Sequence, residues 1–303
     1  MDHLLTPVRE DLVETVLVSC RICGSSQYHL LFSADNIRRK AKRFFNVVQC
    51  KDCGFKYINP SPTEESLKYY YEDYMAHVPE RINGLEKIYY RFFRNTRNAR
   101  PPGRFLDIGC GNGKYLDFMR SLGWETVGVD AGPGCEFARQ VLNLEVYDGN
   151  LWEHRFPDSS FDVITLWFVL EHIWDPMRLL SECYRILKPG GQIIISTLNT
   201  NSFETKVFKR YWWHLLVPEH LCQFDESSLQ SVIQKTGFRI FYLRHEPICC
   251  GILGSLQNLL SSKKIPLNIN ITFFRILFIP IDFLCALLKS SGLITAYAEK
   301  TPS

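Results

Sequence analysis

The stretch Phe105-Leu106-Asp107-Ile108-Gly109-Cys110-Gly111-Asn112-Gly113-Lys114 decides the fold. An apolar run passes into three glycines at alternate positions, and a helix-compatible segment, Gly113 to Leu122, follows. The stretch therefore reads as strand, tight loop and helix start. Glycines in such a loop let a ligand approach the backbone at the helix N-terminus. The dinucleotide-binding spacing G-x-G-x-x-G would require a glycine at 114, where this chain has Lys114. Asp107 precedes the loop, and an acid there suits an ammonium group better than a pyrophosphate. Further on, Val127-Gly128-Val129-Asp130 closes a second apolar run with an acid that can accept both hydroxyls of a ribose. The implied ligand is a nucleoside with a cationic or zwitterionic tail.

Outward from this stretch, short apolar runs alternate with helical segments, the pattern of a parallel α/β sheet. The runs are 105–108, 126–129, 144–147, 162–166 and 192–196. Further strands are expected at 238–243 and 293–298. Helices are expected at 113–122 and 177–187, the latter ended by Lys188-Pro189-Gly190-Gly191. Upstream, Thr63-Glu64-Glu65 has the composition of a helix start ahead of Tyr69, Tyr70, Tyr71 and Tyr74. A second basic and aromatic helix is expected over Leu85 to Arg97, after a polar stretch from Pro79 to Gly84.

Residues 104 to about 200 resemble the class I S-adenosylmethionine-dependent methyltransferases. Several motifs carry the resemblance in order: the glycine loop, Asp130, Gly149-Asn150-Leu151 followed by Phe156 to Asp162, Leu166 to Pro176 after the fourth strand, and Ile186-Leu187-Lys188-Pro189-Gly190-Gly191 at the turn into the fifth. The fold this implies is a doubly wound, Rossmann-like seven-stranded sheet. By the same resemblance Asp107 orients the methionine moiety of S-adenosyl-L-methionine, and the backbone of Gly109, Gly111 and Gly113 packs against it. Asp130 holds the ribose, and Asn150 with Leu151 faces adenine. Asn150 stands where relatives often carry Asp, and its carbonyl can still accept from the adenine amino group.

A sulfonium methyl is already activated, so the protein mainly positions an acceptor and removes a proton where the acceptor needs it. His172, just after the fourth strand, and His220, in Pro218-Glu219-His220-Leu221, are the two candidate bases. A structural role for either, such as capping a helix, is the alternative. Tyr211, Trp212, Trp213 and His214 are candidate walls of an acceptor pocket, with plain hydrophobic packing as the other reading.

Cys20-Arg21-Ile22-Cys23-Gly24 and Cys50-Lys51-Asp52-Cys53-Gly54 form two thiolate knuckles. Two such pairs complete a tetrahedral four-sulfur zinc site with no position left for water, so the metal is expected to be structural. Residues 1–60 are thus read as a zinc ribbon, 61–103 as a helical linker and 104–303 as the methyltransferase, with an apolar helical insertion at about 248–291. That order resembles the sugar methyltransferases of deoxysugar and glycan pathways. Members that methylate carbon carry a further C-terminal domain for which this chain has no room. The expected acceptor is therefore a hydroxyl of a saccharide or other small metabolite, with a sugar carbon or a quinone-type hydroxyl as alternatives.

Composition limits the other functions. The chain has 303 residues, 46% hydrophobic and 22% charged, and a net charge of +3, which is ordinary for a globular protein and too small to predict nucleic-acid binding. RNA methylation stays as an alternative because Arg38-Arg39-Lys40-Ala41-Lys42-Arg43 is basic and adjoins Phe44 and Phe45. Against it, Trp167 to His172 is unlike the Asn-Pro-Pro-Tyr type that stacks a flipped amino-base. Eleven cysteines, mostly scattered, fit a reducing compartment rather than a disulfide framework. The first residues lack a basic head and apolar run, so a cytoplasmic location is expected. Ile271 to Leu288 is apolar but interrupted by Arg275, Pro280 and Asp282. It is read as a lid, a dimer face or a contact with the membrane surface, the last also allowing a non-enzymatic scaffold.

Overall fold

The computed structural model describes residues 12–37, 43–71, 90, 102–247, 251–263 and 271–301. In chain order the N-terminal part contains β1 (Thr15–Val16), β2 (Tyr28–Ala34), β3 (Phe45–Cys50), β4 (Lys56–Ile58), β5 (Ser61–Pro62) and α1 (Glu64–Tyr71). After it come β6 (Arg104–Ile108), α2 (Lys114–Ser121), β7 (Glu125–Asp130), α3 (Gly134–Gln140), β8 (Glu145–Asp148), β9 (Phe161–Trp167), α4 (Pro176–Ile186) and β10 (Leu187–Leu198). The chain continues through α5 (Phe203–Phe208), β11 (Cys222–Gln223), α6 (Glu226–Lys235), β12 (Phe238–His245), α7 (Gly251–Ser262), α8 (Ile271–Leu287) and β13 (Leu293–Lys300). The expected helix at 85–97, the polar stretch 79–84, Tyr74 and the basic residues 38–42 lie outside the described residues, apart from Tyr90.

Seven strands form one sheet in the order β12-β13-β10-β9-β6-β7-β8. The five strands from β10 to the β8 edge run parallel, and β13 lies antiparallel between β10 and β12. Helices cover both faces, so these strands are apolar on both sides rather than alternating. Phe161, Val163, Ile164 and Leu166 of β9 are all essentially inaccessible. From β6 the chain winds outward to β7 and β8, then returns to place β9 on the other side of β6. That reversal opens a crevice at the C-terminal ends of β6 and β9, where open α/β sheets bind ligands.

Local chemistry sets the element ends. Asp175 Oδ1 accepts from the Arg178 amide at 3.0 Å, and Pro176 occupies the first turn of α4. Asp225 Oδ1 accepts from the Ser228 amide at 2.9 Å at the start of α6. Lys188 to Gly191, read as the stop of a helix, lies within β10, which begins at Leu187 and slips register against β9 before Gln192. The two glycines permit this bulge, and strand pairing resumes after it.

The N-terminal strands β2, β3 and β4 form an antiparallel sheet completed by β11 from far along the chain, with Cys222 opposite Tyr57 and Gln223 opposite Lys56. The cores are continuous across this pairing. Phe55 meets Phe224 at 5.3 Å, and Val48 and Tyr57 join the same apolar cluster as Leu106 and Ile195. The apolar section near the C-terminus forms α7 and α8, whose far end exposes Phe283, Leu284, Leu287 and Leu288. Among the described residues no helix is long and apolar enough to cross a membrane.

Candidate active site

Asp107 lies in β6 with its side chain buried, and the Thr165 hydroxyl of β9 donates to its Oδ1 at 2.6 Å. Parallel pairing places these two residues opposite one another. The loop then turns through Gly109, Gly111 and Gly113, all with positive φ, into α2. Gly109 is close-packed as well as left-handed, because a Cβ there would run into the side chain of Val169. At Gly113 a Cβ would stand 2.7 Å from Leu144 Cδ1 and 2.8 Å from Ala138 Cβ. Packing alone therefore requires glycine at both positions, in addition to any approach by a ligand.

Asp130 ends β7 and braces the loop: Gly111 N–H donates to its Oδ2 at 2.8 Å and Gly132 N–H to its Oδ1 at 2.6 Å. Burial pushes this carboxyl above its ordinary range, and the two amides partly offset the rise. Each oxygen can accept a second hydrogen bond, so a ribose diol fits without displacing either amide. The Asn150 backbone N–H and Nδ2 donate to the Glu153 carboxylate at 3.2 and 3.0 Å. With its amide nitrogen so committed, the side chain has a carbonyl oxygen to offer an adenine amino group. Leu151 beside it is buried.

His172 and His220, far apart along the chain, meet at the crevice with ring centroids 4.6 Å apart and nearly perpendicular. Glu171 joins them: one ring nitrogen of each histidine and a Glu171 carboxylate oxygen lie within 4.8 Å of one another. Each member is held from behind. The Thr197 hydroxyl donates to Glu171 Oε2 at 2.7 Å. His172 Nδ1 faces the Glu219 carbonyl at 3.0 Å, and His220 Nδ1 faces the His214 carbonyl at 2.7 Å. A carbonyl can only accept, so in each ring Nδ1 carries the proton. Burial lowers the His172 pKa to about 4, which keeps that ring neutral, and raises Glu171 to about 7.

The structure brings both candidate bases to one place with Glu171, and adds supports the sequence reading missed: Thr197 for Glu171, Thr165 for Asp107 and Val169 against Gly109. Thr165 was detectable from parallel register with Asp107; Thr197 was not, because nothing local connects it to Glu171. Trp212 and Trp213 line a small cavity with Asp35, Asn36, Leu215 and Asn258, and Trp212 is also part of the core. It is buried with Leu198, Leu215 and Val217, and its Nε1 donates to Glu204 at 2.9 Å.

The four knuckle cysteines also converge. Cys20 and Cys53 sulfurs stand 3.5 Å apart, Cys23 and Cys50 sulfurs 3.6 Å apart, and all four lie within 4.8 Å. With metal–sulfur bonds of about 2.3 Å, sulfurs around one tetrahedral ion are separated by about 3.8 Å, so the set fits zinc. The knuckles repeat one turn: Gly24 N–H donates to the Cys20 carbonyl at 2.8 Å, and Gly54 N–H to the Cys50 carbonyl at 3.1 Å. Burial raises the Cys50 thiol, but the amides of Cys53 and Asp52 outweigh it and bring the pKa to about 7. A thiolate is the form a metal binds.

Comparison with known proteins agrees with this geometry. A family model described as a methyltransferase domain matches residues 77–243. A ubiquinone biosynthesis O-methyltransferase of Cereibacter sphaeroides is 32% identical over 146 residues, covering 44% of this chain and 59% of its own length. A ubiquinone/menaquinone biosynthesis C-methyltransferase of Vibrio vulnificus is 32% identical over 185 residues, covering 51% of this chain and 71% of its own. The chain spans little more than half the length of several such relatives. The crystal structure of an S-adenosylmethionine-dependent methyltransferase from Archaeoglobus fulgidus has the same fold, with a TM-score of 0.51 at 22% identity over 77% of this chain and 99% of that one.

Proposed function

The chain belongs to the S-adenosylmethionine-dependent methyltransferases, and on that premise we propose that it methylates a hydroxyl oxygen of a small-molecule acceptor held at the Glu171–His172–His220 cluster. The convergence of that cluster with the glycine loop carries the reading, through Val169, which packs on Gly109 two residues before Glu171. In this reading Asp107 and the loop backbone hold the methionine end of the cofactor, Asp130 the ribose, and Asn150 with Leu151 the adenine.

The acceptor oxygen gives an electron pair to the methyl carbon as the carbon–sulfur bond breaks, and that bond's pair stays on sulfur. The hydroxyl proton is lost. A neutral imidazole, which His172 is at neutral pH, suits that chemistry because its Nε2 can accept. The relatives named for ubiquinone biosynthesis favour a phenolic hydroxyl of a quinone precursor over the saccharide suggested by the ribbon and linker order. The ribbon, in turn, is read as a structural zinc module, supported by the fit of its four sulfurs.

Transfer of labelled methyl to catechol-type quinone precursors, nucleotide sugars and RNA, run in parallel, tests the acceptor class. Turnover on the phenolic set that falls at least tenfold in His220→Asn, with S-adenosylhomocysteine affinity retained, is the expected result. Transfer to RNA or to sugars alone would overturn it.

A further inference from the structure

We infer that the face built by α5, α7 and the end of α8 docks on the surface of an anionic phospholipid bilayer, lying on it without crossing it. The inference goes beyond the acceptor reading above.

The apolar part of the face comes from two elements. Along the last turns of α8 and just past them, Ile281, Leu284, Leu287 and Leu288 are exposed, the last two at 79% and 69%. On α5, Phe203 and Val207 are exposed and share one side of the helix with Lys206, at spacings of three and four residues. The Phe203 amide donates to the Ser290 carbonyl at 3.0 Å, so α5 begins beside the end of α8. Exposed apolar side chains gathered in one region mark an interaction surface, whereas scattered single ones do not.

Charge identifies the occupant. Within residues 203–211, 251–263 and 278–290, every exposed charged side chain is basic: Lys206, Lys209, Arg210, Lys263 and Lys289. The two acids of these segments, Glu204 and Asp282, are 0% and 2% exposed. Glu204 is turned inward, where it accepts from Trp212 Nε1. Asn258 Nδ2 donates to the Tyr211 carbonyl at 3.2 Å, which sets Arg210 beside α7, the helix that leads to Lys263. α7 and α8 connect β12 to β13, at the edge of the large sheet opposite β8. The β8 edge carries exposed acids instead, Glu145, Asp148 and Glu153, so an anionic surface favours approach of the α5–α8 end.

A second copy of the chain fits this face less well. A two-fold contact through it would set the five basic side chains against the same five, with no exposed acid between them. An anionic headgroup layer accepts the lysine and arginine heads, while the leucines and Phe203 enter the boundary beneath it. Docking also has a direction. Trp213 packs on Gly254 of α7, and the next residue, His214, offers its carbonyl to His220. The docked face therefore sets the crevice beside the bilayer.

Co-sedimentation of the full chain with vesicles tests the face. Mixed vesicles of phosphatidylcholine and phosphatidylglycerol should bind the protein, and vesicles of phosphatidylcholine alone should bind it about tenfold less or weaker still. Added salt should weaken the binding, because it screens surface charge. Lys206→Glu combined with Lys263→Glu should reduce affinity for the mixed vesicles by about tenfold or more, and so should Leu284→Ser combined with Leu287→Ser and Leu288→Ser. Arg155→Glu, an exposed change beyond β8, should leave it within about twofold. Calorimetry with S-adenosylhomocysteine on the same samples shows that each variant is folded. Equal binding to both kinds of vesicle, or binding unchanged in both the lysine and the leucine variants, overturns the docking face. A lipid-free dimer in sedimentation velocity that the leucine variant dissociates also overturns it, by showing that a second copy covers the face. If wild type ignores the mixed vesicles but still binds S-adenosylhomocysteine, the inference fails and the methyltransferase reading stands.

Discussion

At the scale of single residues, Asp225 combines two tasks. It caps α6 through the Ser228 amide and pairs with Lys56 of β4 at 3.2 Å. Burial raises its carboxyl pKa, but the Ser228 amide and the Lys56 charge outweigh this and hold it below its ordinary value. A carboxyl with a depressed folded pKa stabilises the protein above its unfolded value of about 3.9, and that contribution is lost as pH falls through the folded value. Asp225→Ala should therefore cost about 1 kcal/mol at pH 7, the usual worth of such a cap. The gap between wild type and variant should close below about pH 4. Urea unfolding at both pH values checks this; a gap that stays constant would show that neither the cap nor the ion pair depends on the charge.

At the scale of elements, the strands were legible and their supports were not. Every run read from the sequence as a strand became one in the large sheet, and the inner parallel strands were plainest because a strand covered on both faces must be continuously apolar. Lys188 to Gly191 does follow the end of the helix, at Ile186, and what the sequence did not show is that the same residues already open β10 as a bulge, since two glycines beside a proline serve both. Cys222 and Gln223 carried no strand signal: two residues have no period, and only the ribbon's edge makes them a strand. The cysteine spacing was legible for a different reason, because each knuckle is a local turn whose glycine follows directly. Gly24 has φ +75° and nothing within 4 Å of where a Cβ would sit. Replacing it with alanine thus meets a conformational cost alone, about 1–2 kcal/mol for a residue forced into the left-handed region. Zinc retention in Gly24→Ala, measured by competition with a chelator, should weaken by about tenfold, since 1.4 kcal/mol is one decade. Gly24→Asn should recover part of the loss, as Asn tolerates that conformation better. Equal retention in all three proteins would mean that the turn is not strained by a side chain.

At the scale of the whole molecule, the ribbon is attached to one end of the site and not the other. β11, which completes its sheet, follows His220 by one residue, and the Ile58 amide donates to the Leu221 carbonyl at 3.0 Å. Asn36 Nδ2 donates to Glu219 Oε2 at 2.8 Å, and the Glu219 carbonyl in turn faces His172. Arg21, between the first two cysteines, stacks on Trp174 at 4.2 Å and donates to Ser61 Oγ at 2.6 Å. Apart from the Arg21–Ser61 bond, these contacts reach the segments that carry His172 and His220. Asp107, Asp130 and Asn150 are hydrogen-bonded instead within the large sheet and its own loops, to Thr165, Gly111, Gly132 and Glu153. Loss of the ribbon metal should therefore damage acceptor chemistry more than cofactor binding. In Cys50→Ser, zinc at the four-cysteine site should be lost and amide protection over 15–62 should fall, because folding of such a module is coupled to its metal. Methyl transfer should drop at least tenfold while S-adenosylhomocysteine affinity changes by less than about threefold, a difference under 1 kcal/mol. Parallel losses in both would show that the ribbon supports the whole sheet, and full zinc content in the variant would remove the four-cysteine site itself.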